Sequence, residues 1–138
     1  MNTKLWVIKV TARSALGLVW LYEGLVPKLL FLRADELDLV RNWGIWWGSP
    51  LLTLQIMGVV QIAFGLWLLV GWYERAAVML ATLWMCGLIF LVAGGNPGML
   101  TDPYGALIKD LCLIACAAAV WILAPMLSCP QVVRSATQ

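Results

Sequence analysis

The chain is 138 residues long, 63% apolar and 12% charged, with a net charge of +2 and a mean hydropathy of +0.91. Soluble domains carry roughly 25% charged residues, and a water-soluble fold of this size could not hide so much apolar surface. A soluble enzyme and a disordered chain are excluded on that ground. A nucleic-acid binder is excluded too, because the scattered lysines and arginines form no basic stripe.

A span needs about 20 apolar residues to cross the ~30 Å hydrocarbon layer. The sequence predicts an all-α fold: a transmembrane four-helix bundle forming a single integral membrane domain over residues 1–138. The first span covers about 5–27 and carries Lys9, Arg13 and Glu23. These charges, and the lack of a small-x-small site before Glu23 and Lys28, argue against a cleaved signal peptide. Between the first two spans, Asp35 and Glu36 suit a helix N-terminus, and Leu37, Val40 and Trp47 recur at helical spacing. With Trp43, Trp46 and Trp47 at a headgroup layer, this segment reads as a short interfacial amphipathic helix.

The second span, about 50–73, opens on Ser49-Pro50, an N-cap followed by proline at the first helical position. No charge occurs from Asn42 to Tyr73, a run of 32 residues. Glu74-Arg75 marks a tight turn into the third span, about 76–95, which stops at Gly94-Gly95-Asn96-Pro97-Gly98. The fourth span, about 103–127, starts at Asp102-Pro103 and is stopped by Pro125 and by Cys129-Pro130.

One side of this topology holds five basic residues, among them Lys4, Lys9 and Arg13, against four on the other. The bias predicts cytoplasmic N and C termini. Histidine is absent, which removes His-ligated haem, the usual zinc sites and Ser-His-Asp triads. None of Cys86, Cys112, Cys116 and Cys129 forms a C-x-x-C motif. Cys112 and Cys116 share a helical face, either as buried small residues or as a redox pair.

Projected at 100° per residue, each span has a stripe of small and polar residues suited to close helix contact. These are Arg13, Gly17, Trp20, Glu23 and Gly24 on the first span, and Gln55, Gly58, Gln61 and Gly65 on the second. Met79, Thr82, Cys86 and Ala93 form the third stripe; Ala106, Asp110, Ala117, Trp121 and Ala124 form the fourth. Charges inside a membrane are costly and mark candidate sites. Glu23, Lys28, Asp102, Lys109 and Asp110 fall near one rim and nearly balance, with Asn96 and Tyr104 placed to add hydrogen bonds. Such a network is either a polar clasp that fixes helix register or a polar-headed pocket for a quinone, lipid or hydrophobic metabolite. Arg13, one to two turns from the opposite surface, is expected to snorkel there.

Gly24-Leu25-Val26-Pro27-Lys28, Asn96-Pro97-Gly98, Asp102-Pro103-Tyr104-Gly105 and Lys109-Asp110 together resemble the DoxX-like family of small bacterial four-span membrane proteins. The likeness covers about residues 10–127. It implies an inner-membrane location and a partnership with a soluble or membrane oxidoreductase, with a quinone as the implied cofactor. It carries over no catalytic residues. The expected function is therefore a non-catalytic membrane subunit or anchor of a redox system. The alternative is a small proton-coupled, multidrug-type exporter using Glu23. A stand-alone enzyme with Glu23 or Asp110 as general acid or base ranks lowest, because the chain supplies no nucleophile–base pair or metal set. Glycine-lined helix faces suggest a homo-oligomer.

Overall fold

The computed structural model describes residues 3–44, 47–101 and 106–127. Its helices are α1 (Thr3–Leu25), α2 (Ala34–Trp43), α3 (Pro50–Val70), α4 (Glu74–Gly95) and α5 (Ala106–Met126), with a π-helical turn at Val26–Leu30 and a 3-10 turn at Pro97–Leu100. Four helical segments, Thr3–Leu30, Pro50–Val70, Glu74–Gly95 and Ile108–Met126, are long and apolar enough to cross a membrane. Only 22–28% of the most apolar stretch of each is buried. The outward positions carry residues such as Leu18, Val59, Leu66, Leu83, Phe90 and Ile122. Lipid is the solvent that tolerates such a surface.

The all-α, four-span architecture with one shorter helix between the first two spans is as the sequence predicts. The boundaries follow local chemistry. Ser49 accepts a hydrogen bond from Leu52 N at 3.2 Å, and Pro50 occupies the first turn of α3. Gly71 ends α3 in the left-handed region at φ 77°. Pro27, however, does not stop the first span, which continues through the π turn to Leu30. The Asp102-Pro103 and Cys129-Pro130 signals and Trp46 lie outside the described residues.

Helix α1 packs most closely on α3 and also on α5, α5 packs on α4, and the α3–α4 seam is looser than any of these. The α1–α3 contact is backbone to backbone. A Cβ on Gly24 would lie 2.5 Å from the Gly58 carbonyl oxygen, and one on Gly58 2.8 Å from that of Gly24. Seven residues along, Gly17 and Gly65 face each other in the same way, at 3.0 and 2.9 Å. The glycines at 17 and 24 thus match those at 65 and 58 in an antiparallel register, the small-residue packing expected between helices in lipid. The stripes on the first two spans are therefore inward. The third is corrected: α4 buries Ala77, Val78, Ala81 and Met85, whereas Met79, Cys86 and Ala93 are exposed. Thr82 bonds its own Val78 carbonyl at 2.8 Å, so its hydroxyl needs no partner across the bundle. On α5, Asp110, Ala117 and Ala124 are buried, but Trp121 is 40% exposed and Cys112 also faces outward.

Helix α2 lies across the end of the bundle where α1 leaves and α3 begins. Val40 is buried and Glu36, Leu37, Leu39 and Trp43 are half-buried, so Leu37 and Val40 of the expected stripe turn inward, whereas Trp47 follows the helix and is exposed. Trp43 anchors it. The indole lies against Gly94 and Gly95, where no side chain could fit, and donates to the Leu91 carbonyl at 2.7 Å.

Candidate functional site

Proline has no N–H to offer the carbonyl four residues back, so Pro27 leaves the Glu23 carbonyl without its α-helical donor. The backbone widens into the π turn, closed by Phe31 N on Val26 O at 2.8 Å. This turn aims Lys28 into the protein, where it is 5% exposed and its Nζ donates to the Glu23 carbonyl at 3.4 Å. The glycine at 58 makes room, since a Cβ there would sit 2.9 Å from Lys28 Cβ. Irregular turns of this kind are frequent at functional sites.

Around Lys28 the charges pair. Lys28 Nζ lies 3.0 Å from Glu36 Oε2, which ties α2 to the end of the first span. Lys109 Nζ lies 2.7 Å from Glu23 Oε1, which ties α5 to α1. Asp110 is 8% exposed and takes part in none of the ion pairs among the described residues. Lys109, Glu23 and Lys28 are near enough to act on its charge. These five ionisable groups line one cavity of about 110 Å³, together with Gln61. Gln61 is 3% exposed and its Oε1 has no hydrogen-bond partner. A buried amide oxygen left bare costs roughly 1–3 kcal/mol, so its orientation toward a cavity is informative.

An apolar groove of about 750 Å³ adjoins this cavity, in the seam between α3 and α4 and under α2. Leu39, Val40, Met57 and Leu88 are walls of both. Trp43, Phe64, Trp84 and Gly87 also line the groove. Nothing lies within 4 Å of a Cβ placed on Gly87. A small chamber on which charged groups converge, among largely apolar walls, thus adjoins a larger apolar slot.

Of the residues singled out from sequence, Glu23, Lys28, Lys109 and Asp110 come together here. Asn96 does not line the cavity; its backbone N–H closes α4 on the Val92 carbonyl at 2.9 Å. Asp102 and Tyr104 lie outside the described residues. Sequence reasoning missed Glu36, taken only as a helix-start acid, and gave Gln61 only a packing role. The signal for Glu36 is its spacing of three, four and seven residues before Leu39, Val40 and Trp43.

A second charged cluster lies at the opposite end of the bundle. Glu74 pairs with Lys9 at 3.0 Å and with Arg13. Arg13 is therefore held, not snorkelling: its side chain is 16% exposed and its guanidinium lies against Gly71, where a Cβ could not fit. Arg75 stacks over the Trp121 ring at 5.0 Å. This end is a structural clasp. Among the described residues, no group of three or more Cys, Asp or Glu could hold a metal ion.

Residues 17–118 match the sequence model of the DoxX-like family. No curated protein and no solved structure matches the chain. The match covers most of the chain, which belongs to the DoxX-like family and is a multi-span membrane protein.

Proposed function

We propose that this protein is a non-catalytic membrane subunit of a redox system, with both termini on the cytoplasmic side of the bacterial inner membrane, and that it holds a quinone- or lipid-type amphiphile. The observation that carries the ligand reading is the adjacency of the polar cavity, about 110 Å³, and the apolar groove, about 750 Å³. An amphiphile has the same division, a compact head and a long chain. Ligand sites characteristically combine apolar walls with a few converging polar groups. The redox assignment rests on family membership, and the orientation on the excess of basic residues at the terminal end. The exporter reading draws less support, because Glu23 is engaged by Lys109 at 2.7 Å and a proton would have to displace that contact.

Purification in mild detergent followed by solvent extraction and mass spectrometry tests the ligand. A chain-bearing amphiphile is expected in near-equimolar amount with the wild type and much less with Gly87→Trp, which fills the groove. Protein that carries no amphiphile, with Gly87→Trp indistinguishable from it, overturns the ligand reading. Absence of any co-purifying oxidoreductase overturns the redox assignment.

A further inference from the structure

The charges lining the cavity do not cancel. Among the described residues, Glu23, Glu36 and Asp110 face Lys28 and Lys109, a surplus of one acid. The two lysines are each in direct contact with a glutamate, at 2.7 and 3.0 Å, which leaves Asp110 as the described carboxylate of the cavity with no ion pair of its own. Asp110 is also more buried than the Glu23–Lys109 pair, whose side chains are 25% and 36% exposed. Gln61, a wall of the same cavity, carries a bare acceptor in its Oε1. A buried carboxylate is strongly unfavourable unless paired. Both groups can therefore take a hydrogen-bond donor, and the Asp110 carboxylate favours one that is positively charged.

Size points the same way. A cavity of about 150 Å³ is known to hold one benzene ring. The present cavity, at about 110 Å³, is short of that and smaller still than a substituted quinone ring requires. It suits a head of a few atoms on a thin stem. Met57 and Leu88 wall both spaces, so a chain that passes between them would lie in the groove, where the walls are almost wholly apolar.

We infer that the cavity receives the ammonium head of a long-chain amphiphile, with Asp110 as counter-ion and Gln61 Oε1 as second acceptor, while the chain lies in the α3–α4 groove. The inference rests on the amphiphile reading above and narrows it to one head chemistry. An ammonium joined directly to its chain is a lipophilic primary amine; the ethanolamine end of a phospholipid, with an anionic phosphate between ammonium and chains, does not fit this passage and serves as the contrast in the test. The Glu23–Lys109 and Lys28–Glu36 pairs stay intact in this arrangement and close the cavity mouth around the head.

The test uses the full chain in phosphatidylcholine nanodiscs, with empty nanodiscs as the reference for partitioning. Binding of dodecylamine, dodecanol and a decyl-chain quinone is followed by fluorescence of the tryptophans, Trp20 being a cavity wall. A parallel arm replaces part of the phosphatidylcholine with phosphatidylethanolamine and measures competition against dodecylamine. Dodecylamine should bind saturably and about tenfold or more tighter than dodecanol, the range expected for a charge-assisted contact. Asp110→Asn should erase that preference without weakening dodecanol, and Gln61→Leu should reduce it. Competition by phosphatidylethanolamine would overturn the placement of a thin chain in the groove, and its failure is the result expected for a lipophilic amine. If dodecanol or the quinone binds as tightly as dodecylamine to the wild type, the ammonium inference falls while the amphiphile site stands. If none of the three binds above the empty nanodisc and Gly87→Trp changes nothing, both fall. The wild-type comparison needs no variant, so misfolding of Asp110→Asn does not spare the inference.

Discussion

Replacing Gly24 with alanine would place a methyl carbon 2.5 Å from the Gly58 carbonyl oxygen and 2.9 Å from Ile62 N. Both are backbone atoms, which cannot rotate away. The shortfall from ordinary contact is about 1 Å, so the α1 and α3 axes must separate over this turn. Overpacking of this kind costs about 1–3 kcal/mol, and backbone opposition puts Gly24→Ala in the upper half of that range. Alanine recovers up to about 1 kcal/mol as the better helix former, leaving a net loss of about 1–2 kcal/mol. Gly87→Ala is the matched control, since a Cβ there meets nothing within 4 Å. It should be neutral or stabilising by up to about 1 kcal/mol. Reversible unfolding in mixed micelles, followed by far-UV circular dichroism, measures both. Gly24→Ala and Gly58→Ala occupy one contact, so the double variant should cost less than the two singles added together. A Gly24→Ala protein as stable as the wild type would mean that the two backbones do not meet.

Glu74→Gln removes the counter-ion of both Lys9 and Arg13, whose side chains are 9% and 16% exposed, and should cost about 3–5 kcal/mol; a loss below 1 kcal/mol in the same unfolding assay would contradict a buried clasp. Trp43→Phe keeps the ring but loses the donor to Leu91 O, held at 2.7 Å, and should cost about 0.5–1.5 kcal/mol. Its specific signature is faster amide exchange over residues 34–43, where α2 lifts from the bundle, with α1 and α3 unchanged. Lys109→Met breaks a pair that is 36% and 25% exposed, so solvent screening limits the stability loss to about 1 kcal/mol or less; a drop of several kcal/mol would show that the mouth of the cavity is itself structural.

The spans were legible because lipid imposes a coarse rule: a long uncharged stretch can do little else. The glycine stripes of α1 and α3 were legible for a related reason, as closely matched helix faces leave a seven-residue pattern in each sequence. Where sequence reasoning failed, a local interaction had replaced a cross-helix one. Thr82 was placed inward as a polar atom needing a partner, yet it finds one in its own helix. Pro27 was read as a stop, yet a wider turn and the Lys28 ammonium take over the Glu23 carbonyl that proline leaves unserved. Depth alone, one to two turns from the end of the span, sends Arg13 toward the surface; Glu74 stands 61 residues away in the chain, and only the antiparallel return of α3 brings the two together. Glu36 differs from its neighbour Asp35 in sequence only by its helical spacing to Leu39, Val40 and Trp43, and that face becomes inward once Trp43 seats on the glycines of α4.

The groove follows from an asymmetry in α3. Toward α1 this helix presents Gly58 and Gly65, and the two backbones touch. Toward α4 it presents Ile56, Val60 and Phe64, which wall the groove together with Leu80, Trp84 and Leu91. Phe64 and Trp84 stand with ring centroids 6.2 Å apart, and bulky groups at that spacing keep the two helices from closing. Within lipid this opening carries little hydrophobic penalty, because acyl chains are as apolar as the side chains they touch. In water the same slot would collapse or aggregate. The polar cavity is different, since lipid chains cannot satisfy Asp110 and Gln61. The slot's apolar walls can be left to the bilayer, whereas the chamber beside it, and the bare Trp84 Nε1 in the slot, call for a polar complement. Shrinking Phe64 to alanine should therefore draw α3 and α4 together and narrow the slot, leaving the ion pairs of Glu23 and Lys28 in place. Amphiphile binding should fall while the charged end of the bundle keeps its stability, a separation that cross-linking of paired cysteines at 60 and 87, which leave Trp84 in place, would reveal as a faster reaction. An unchanged cross-linking rate would show that aromatic bulk does not hold the seam open.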